Sequence, residues 1–114
     1  MSDNHDPNDE LLTEPVPIRE LIPVIQAAIN NTGNPEWFTV EEKGNRVVTT
    51  VKINAGGKVR DLAVTYTESM SIRVSSQDGE SVRRLTRNDT YRFMRSTVSF
   101  LHRKAVATLS KHGN

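Results

Sequence analysis

The chain has 114 residues, with 15 Lys and Arg against 14 Asp and Glu, and no cysteine. That length suits one domain, and the lack of cysteine excludes disulfides, a thiol nucleophile and cysteine-ligated metal sites. No apolar run approaches the roughly 18 residues that span a bilayer, and the N-terminus lacks the apolar stretch of a signal peptide. We therefore expect a soluble, cytoplasmic protein that does not enter a membrane.

The N-terminal segment is acidic and poor in apolar residues. Residues 1–14 contain five acidic side chains and no basic one. Such a segment buries too little surface to offset the entropy lost on ordering. We predict a disordered acidic tail over residues 1–16 and a single α+β domain over residues 17–114.

A helix is predicted directly after this tail. Helical spacing relates the apolar residues Ile18, Leu21, Ile22, Ile25, Ala28 and Ile29. Pro17 suits the first helical position, and Gly33 suits the residue just past the end. Pro23 lies inside the pattern, where its ring clashes with the carbonyl group of Arg19. The helix therefore either kinks at Pro23 or begins near Ile22.

The period changes to two between Glu36 and Arg84. Alternating apolar and polar residues predict strands at about 37–42, 46–53, 61–66, 70–75 and 81–85. Gly56-Gly57 and Asp78-Gly79 are turn signals between strands. We predict an antiparallel meander of four to five strands. Because neighbours in a strand point to opposite faces, either Trp37 or Phe38 is expected on the outer face of the sheet.

A long C-terminal helix, from about Asn88 to Lys111, is predicted to pack on one sheet face. Thr86 and Asp89 resemble a capping box at its start. Its core stripe consists of Tyr91, Met94, Val98, Leu101, Ala105 and Leu109. A helix of about 24 residues reaches ~36 Å, whereas an eight-residue strand reaches ~27 Å, so the helix should overhang the sheet by two turns.

Candidate catalytic and metal-binding groups are sparse. No two of the three histidines have the spacing that presents two imidazoles to one metal on a helix. Glu41 and Glu42 are neighbours on a strand, so they point to opposite faces. Gly56-Gly57-Lys58 resembles the end of a phosphate loop, but Val59 replaces the Ser or Thr and the setting is a hairpin. We expect no enzymatic activity, no cofactor and no metal.

Charge is distributed unevenly along the chain. Residues 1–82 carry seven basic and thirteen acidic side chains, whereas residues 83–114 carry eight basic and one acidic. Clustered guanidinium groups bind phosphates and release counterions. The leading hypothesis is a small non-enzymatic protein that binds nucleic acid, in particular a single strand, through this region. The candidate contacts are Arg83, Arg84, Arg87, Arg92, Arg95, Arg103 and Lys104. The alternative is a solvated basic face, or one paired with the acidic tail.

Phe93 and Phe100 form a second apolar stripe, roughly 120–140° around the helix from the core stripe. A second stripe on a helix with a core face usually has something that covers it. The N-terminal helix, a second copy of the chain or a foreign protein could do so, and we favour a homodimer. The alternative function is therefore a protein-interaction module (an adaptor, chaperone-like or inhibitory protein) that binds through Phe93 and Phe100.

The order of elements is similar to that of known folds. An antiparallel meander followed by Leu85-Thr86-Arg87-Asn88-Asp89 at the start of a long helix resembles the Whirly and transcriptional-cofactor folds that bind single-stranded DNA. The similarity is one of topology over residues 36–112, without a specific motif, and the N-terminal helix departs from it. By analogy, it implies a single-stranded nucleic acid as ligand.

Overall fold

The computed structural model describes residues 6–112, so residues 1–5 of the expected tail lie outside the described residues. This part of the chain contains short 3-10 turns at Pro7–Asp9 and Pro35–Trp37, two helices and five strands. They are α1 (Ile18–Asn31), β1 (Phe38–Lys43), β2 (Arg46–Ala55), β3 (Lys58–Thr67), β4 (Ser71–Ser76), β5 (Gly79–Arg84) and α2 (Arg87–His112). The α+β class with a C-terminal helix is confirmed.

The strands form two antiparallel sheets, so the expectation of one continuous meander was wrong. One sheet has the order β1-β2-β3, and β4 pairs with β5 in a separate hairpin. The chain leaves the first sheet after β3 because other hydrogen bonds hold the next bend. The Ser71 N–H donates to Ser69 Oγ at 3.2 Å, and the Leu85 N–H donates to the Met70 carbonyl at 2.8 Å. These backbone groups of residues 70 and 71 therefore bond to Leu85 and Ser69 and do not extend the pairing of the first sheet.

Helix α1 continues through Pro23, whose side chain is exposed. A start near Ile22 is therefore excluded. Proline removes the hydrogen bond to the Arg19 carbonyl, but the buried side chains of Leu21 and Ile25 anchor both sides of the interruption. The helix ends as predicted, because Gly33 follows it with φ +85°, a conformation that glycine adopts without strain.

The core lies between α1, α2 and the inner face of the three-stranded sheet, and α2 packs mainly on β2 and α1. The largest fully buried side chains are Leu21, Ile25, Ile29, Leu101, Val16, Val47, Val51, Val98 and Thr90. Helix α2 has 26 residues and β2 has 10, so their lengths are about 39 Å and 33 Å. The overhang is therefore about one turn rather than two, because the strands are longer than expected.

The N-terminal segment differs from the expected tail. Leu12 is 7% exposed and Val16 is fully buried, in the same core cluster as Leu85. The Leu12 N–H donates to the Leu85 carbonyl at 2.8 Å, and the Arg84 guanidinium donates to the Leu12 carbonyl. Two apolar anchors are enough to dock an otherwise polar stretch. The packed domain therefore begins before residue 17.

The β4–β5 hairpin projects from the rest of the molecule. Ile72 and Val74 on one face are 37% and 38% exposed, and Val82 on the other is 67% exposed. An isolated two-stranded hairpin is marginally stable in water, so this one depends on its attachment to Leu85 and α2. Within residues 6–112, no helix is long and apolar enough to cross a membrane.

Candidate interaction surface

Helix α2 presents three faces with different chemistry. Met94 and Val98 belong to the buried core face. Phe93 and Phe100 lie on a second face and are 45% and 46% exposed. The third face is basic and includes Arg95. At 100° per residue the second and third faces lie on opposite sides of the core face.

The second face of α2 meets the inner face of β3. Leu62, Val64 and Tyr66 share that inner face, because they pair with the buried Val51, Thr49 and Val47 of β2. Helix α2 lies over β2 rather than β3, so β3 is only partly covered and Leu62 is 38% exposed. The Phe93 and Tyr66 ring centroids are 6.3 Å apart.

Phe100 extends this contact along the strand. It lies two turns beyond Phe93, or about 10 Å along the axis, in the direction that leads from Tyr66 towards Leu62. That direction follows from His102, whose ring lies 6.4 Å from Phe38, the residue in register with Val51. We call the group formed by the exposed Leu62, Phe93 and Phe100 and the half-buried Val64 and Tyr66 the aromatic surface. The N-terminal helix does not cover it, so one of the three expected covers is excluded.

A groove continues the aromatic surface towards the hairpin. It has a volume of about 440 Å³, and its walls come from the ends of β3 and β5, the start of β4 and the first turns of α2. The lining residues are Thr65, Tyr66, Thr67, Ser69, Ser71, Ile72, Arg83, Leu85, Asp89, Thr90, Arg92, Phe93 and Ser96. Its volume lies within the range of small ligand sites, roughly 300–1,000 Å³.

The Tyr66 hydroxyl is the polar group that the fold leaves without a partner in this groove. No hydrogen bond of normal geometry reaches Tyr66 Oη among the described residues, although the atom is buried. Burial raises the pKa of the Tyr66 phenol, and the nearby Thr90 hydroxyl opposes that rise only in part.

Arg83 and Arg92, two of the predicted phosphate contacts, converge on one carboxylate. Their guanidinium groups lie 3.4 Å and 3.3 Å from Asp89 Oδ1. The predicted capping box is confirmed, because the Thr86 N–H donates to Asp89 Oδ2 and the Asp89 N–H donates to Thr86 Oγ1, each at 3.0 Å. The hydrogen bond from the Thr86 backbone lowers the pKa of Asp89, and the two guanidinium groups lower it further.

Arg84 and Arg87 bind other parts of the fold. The Arg84 guanidinium holds the Leu12 carbonyl, and Arg87 forms an ion pair with Glu20 of α1. The Tyr91 hydroxyl also donates to Glu20 Oε2, at 2.9 Å. Sequence reasoning missed this role of Glu20. Its position in the first turn of α1 indicates only a favourable interaction with the helix dipole.

The remaining basic candidates lie on opposite sides of α2. Arg95 and Arg103 flank the C-terminal end of α1, where they line a shallow cavity of about 490 Å³ with Ala28, Asn31, Thr32, Ser99 and His102. Their charges complement the negative end of the α1 dipole. Lys104 Nζ lies 5.6 Å from the centroid of the Phe100 ring, within cation–π range. The structure therefore does not bring the seven basic residues into one cluster.

The outer face of the three-stranded sheet does not display the expected aromatic ring. Trp37 precedes β1 in the turn Pro35–Trp37, so strand alternation does not apply to it. The Trp37 and Phe38 rings both lie near His102 of α2, with centroids 5.6 Å and 6.4 Å away. His102 Nε2 is also 3.0 Å from Asn34 Oδ1, so this histidine has a packing role. The expectation of Trp37 or Phe38 on the outer face was wrong.

In the part of the chain that the structure describes, no three His, Asp or Glu side chains are grouped to hold a metal ion. Comparisons with protein-family models, with curated proteins and with solved structures found no match to this chain. The similarity to the Whirly and transcriptional-cofactor folds therefore rests on element order alone. The separate β4–β5 hairpin departs from the continuous meander on which that similarity was based.

Proposed function

We propose that this chain is a small, non-enzymatic protein-interaction module. It binds an extended polypeptide segment along the unpaired edge of β3, and the side chains of that segment cover the aromatic surface. The observation that supports the proposal is the coincidence of the two features on one side of the molecule. Within residues 6–112, no strand pairs with the second edge of β3, and Phe93 and Phe100 are each almost half exposed beside it.

The two features supply complementary parts of a binding energy. An unpaired strand edge offers backbone hydrogen bonds, and side-chain contacts at alternate positions of the added segment provide specificity. Leu62, Val64 and Tyr66 present apolar contacts at that spacing. Covering the exposed half of Phe93 or Phe100 contributes about 1 kcal/mol each, and aromatic residues of this kind are common anchors at interfaces.

The charge pattern distinguishes β3 from the opposite edge of the sheet. Proteins protect exposed edges with charged side chains, and β1 carries Glu41, Glu42 and Lys43 in six residues. The second half of β3, Leu62–Thr67, has no charged residue. This half of β3 is the edge without protection, and it lies directly beside the aromatic surface.

A displayed library of random peptides, selected against the immobilised full chain, tests the proposal. We expect peptides with apolar residues at every second position. Phe100→Asp should weaken their binding about tenfold, which corresponds to about 1.4 kcal/mol. Val106→Asp is the matched control, because Val106 is 41% exposed on a different face of α2. Equal binding to the two variants, or peptides whose NMR shift changes map away from β3, would contradict the proposal.

Nucleic-acid binding is a second candidate, and one observation favours it. Arg95 and Arg103 are exposed and line the same shallow cavity, whereas Arg83, Arg84, Arg87 and Arg92 bind protein groups. Two phosphate contacts on a single strand give a slope of about −1.4 for log affinity against log salt.

Fluorescence anisotropy with a labelled oligothymidylate measures that slope. Arg95→Glu combined with Arg103→Glu should abolish binding at low salt. Arg46→Glu combined with Arg73→Glu, which makes the same change in charge elsewhere, should leave most of it. Equal losses in the two double variants would mean that only net charge matters, and would remove Arg95 and Arg103 as contacts.

A further inference from the structure

The inner face of β3 is complementary to itself in the antiparallel direction. Its side chains are, in order, Lys58, Arg60, Leu62, Val64 and Tyr66, and Glu68 continues the alternation just past the strand. In an antiparallel copy centred on Val64, Arg60 lies opposite Glu68, Leu62 opposite Tyr66, and Val64 opposite itself. Opposite charges and apolar pairs in these positions stabilise strand pairing.

We propose that the partner at the aromatic surface is a second copy of this chain, joined through β3 about a two-fold axis at Val64. The inference rests on the proposed function and names its partner. Residues directly opposite each other in a strand pair share a face, so a two-fold axis must pass through one residue pair. A centre at Ala63 places Lys58 opposite Glu68 but Arg60 opposite Tyr66, and a centre at Leu62 places Arg60 opposite Val64. Of these three centres, Val64 is favoured, because it alone pairs each of Leu62, Val64 and Tyr66 with an apolar side chain and also pairs Arg60 with a carboxylate.

Glu68 is placed to take part in this pairing. Glu68 Oε1 accepts a hydrogen bond from the Ile18 N–H at 3.3 Å, which holds the carboxylate on the inner side of the sheet. Its second oxygen is then available for the guanidinium of Arg60 from the second copy. Such a pair occurs twice in a two-fold arrangement.

The spacing of the helices fits the size of the aromatic side chains. Joined β3 strands make a continuous six-stranded sheet, in which the two α2 helices lie over β2 strands three strand spacings apart. That distance is about 14 Å, wider than the 8–10 Å of direct helix packing. Phe93 and Phe100 from both copies lie between the helices. Four aromatic side chains can occupy the extra width, which gives them the cover that one copy lacks.

Disulfide trapping tests the register, because the chain has no cysteine of its own. Residues opposite each other in a strand pair have Cα atoms about 4.5–5.5 Å apart, a distance that a disulfide spans. Under mild oxidation, full-length Val64→Cys should form a covalent dimer rapidly. Ala63→Cys and Leu62→Cys are matched controls and should cross-link much more slowly. Faster cross-linking of either control would overturn the proposed register.

Sedimentation and light scattering of the unmodified chain test the assembly itself. We expect twice the 12.8 kDa monomer mass, with dissociation on dilution. Arg60→Glu should raise the dimer dissociation constant at least about tenfold, because it opposes like charges at two positions. Lys52→Glu makes the same charge change on the other face of the sheet and should have little effect. The comparison of Arg60→Glu with Lys52→Glu tests the dimer through β3 even if Val64→Cys fails to fold.

The outcomes separate this inference from the proposed function. A chain that is monomeric at every concentration, yet binds selected peptides at Phe100, overturns the second-copy partner and leaves the interaction module intact. A monomer that binds no peptide overturns both. A dimer that is insensitive to Arg60→Glu and Phe100→Asp uses another surface and also overturns the inference.

Discussion

Leu11 and Leu12 provide a direct test of whether the acidic N-terminal segment belongs to the folded domain. The two neighbours have the same chemistry, but Leu11 is 54% exposed and Leu12 is 7% exposed. Truncation of a buried leucine to alanine typically costs about 2–5 kcal/mol. Leu12 lies at the edge of the core, so we expect a cost of about 2 kcal/mol for Leu12→Ala. Leu11→Ala should stay within about 0.5 kcal/mol of the parent.

Guanidinium denaturation followed by circular dichroism measures both variants. Leu12→Ala should also lower the melting temperature by about 8 °C, from roughly 4 °C per kcal/mol for a domain of this size. The Leu12 N–H and carbonyl remain in place, so the difference reports side-chain burial alone. Equal and small effects of the two substitutions would refute the packed position of Leu12 and restore the disordered tail.

Three further substitutions test the ends of the two helices and the contact between them. Asp89→Asn should cost about 1 kcal/mol at pH 7 by weakening the capping box. The fold lowers the pKa of Asp89, so this stabilisation is fully present above the unfolded pKa of about 3.9 and is lost as pH falls through the lower folded pKa. The denaturation curves of parent and variant should therefore approach each other as the pH is lowered below about 4. Glu20→Ala should destabilise the fold by about 1–2 kcal/mol, because the Arg87 guanidinium and the Tyr91 hydroxyl lose their shared acceptor, and a double variant with Arg87→Ala should cost less than the sum of the two single changes. Gly33→Ala should lower the free energy of unfolding in urea by about 1 kcal/mol, since φ +85° is strained for alanine. An unchanged urea midpoint would contradict this strain.

Local chemistry was sufficient to predict the elements and several of their ends. Each strand and helix was predicted close to its observed position, because periods of two and of 3.6 residues follow from side-chain geometry within one element. Gly33 and the Thr86–Asp89 capping box were predicted for the same reason. Their interactions span three or four residues, so the sequence contains both partners side by side.

The candidate site was predictable only in part. The exposure of Phe93 and Phe100 follows from their angle to the core stripe, which can be read from spacing alone. The inner face of β3 could not be added to them, because that requires the position of α2 over β2. The contacts of the basic residues could not be predicted either, since Arg84 and Arg87 bind groups 72 and 67 residues away in sequence.

Composition and periodicity thus establish which segments are helices or strands, how charge is distributed and which side chains lie on each face of an element. Packing between distant segments determines the rest. It buries Leu12 in a stretch whose average composition is that of a disordered chain, and it separates β4 and β5 from the first sheet through the hydrogen bond between Leu85 and Met70. It also leaves β3 half covered. Such choices depend on the free energies of competing contacts between remote residues, which no local pattern contains.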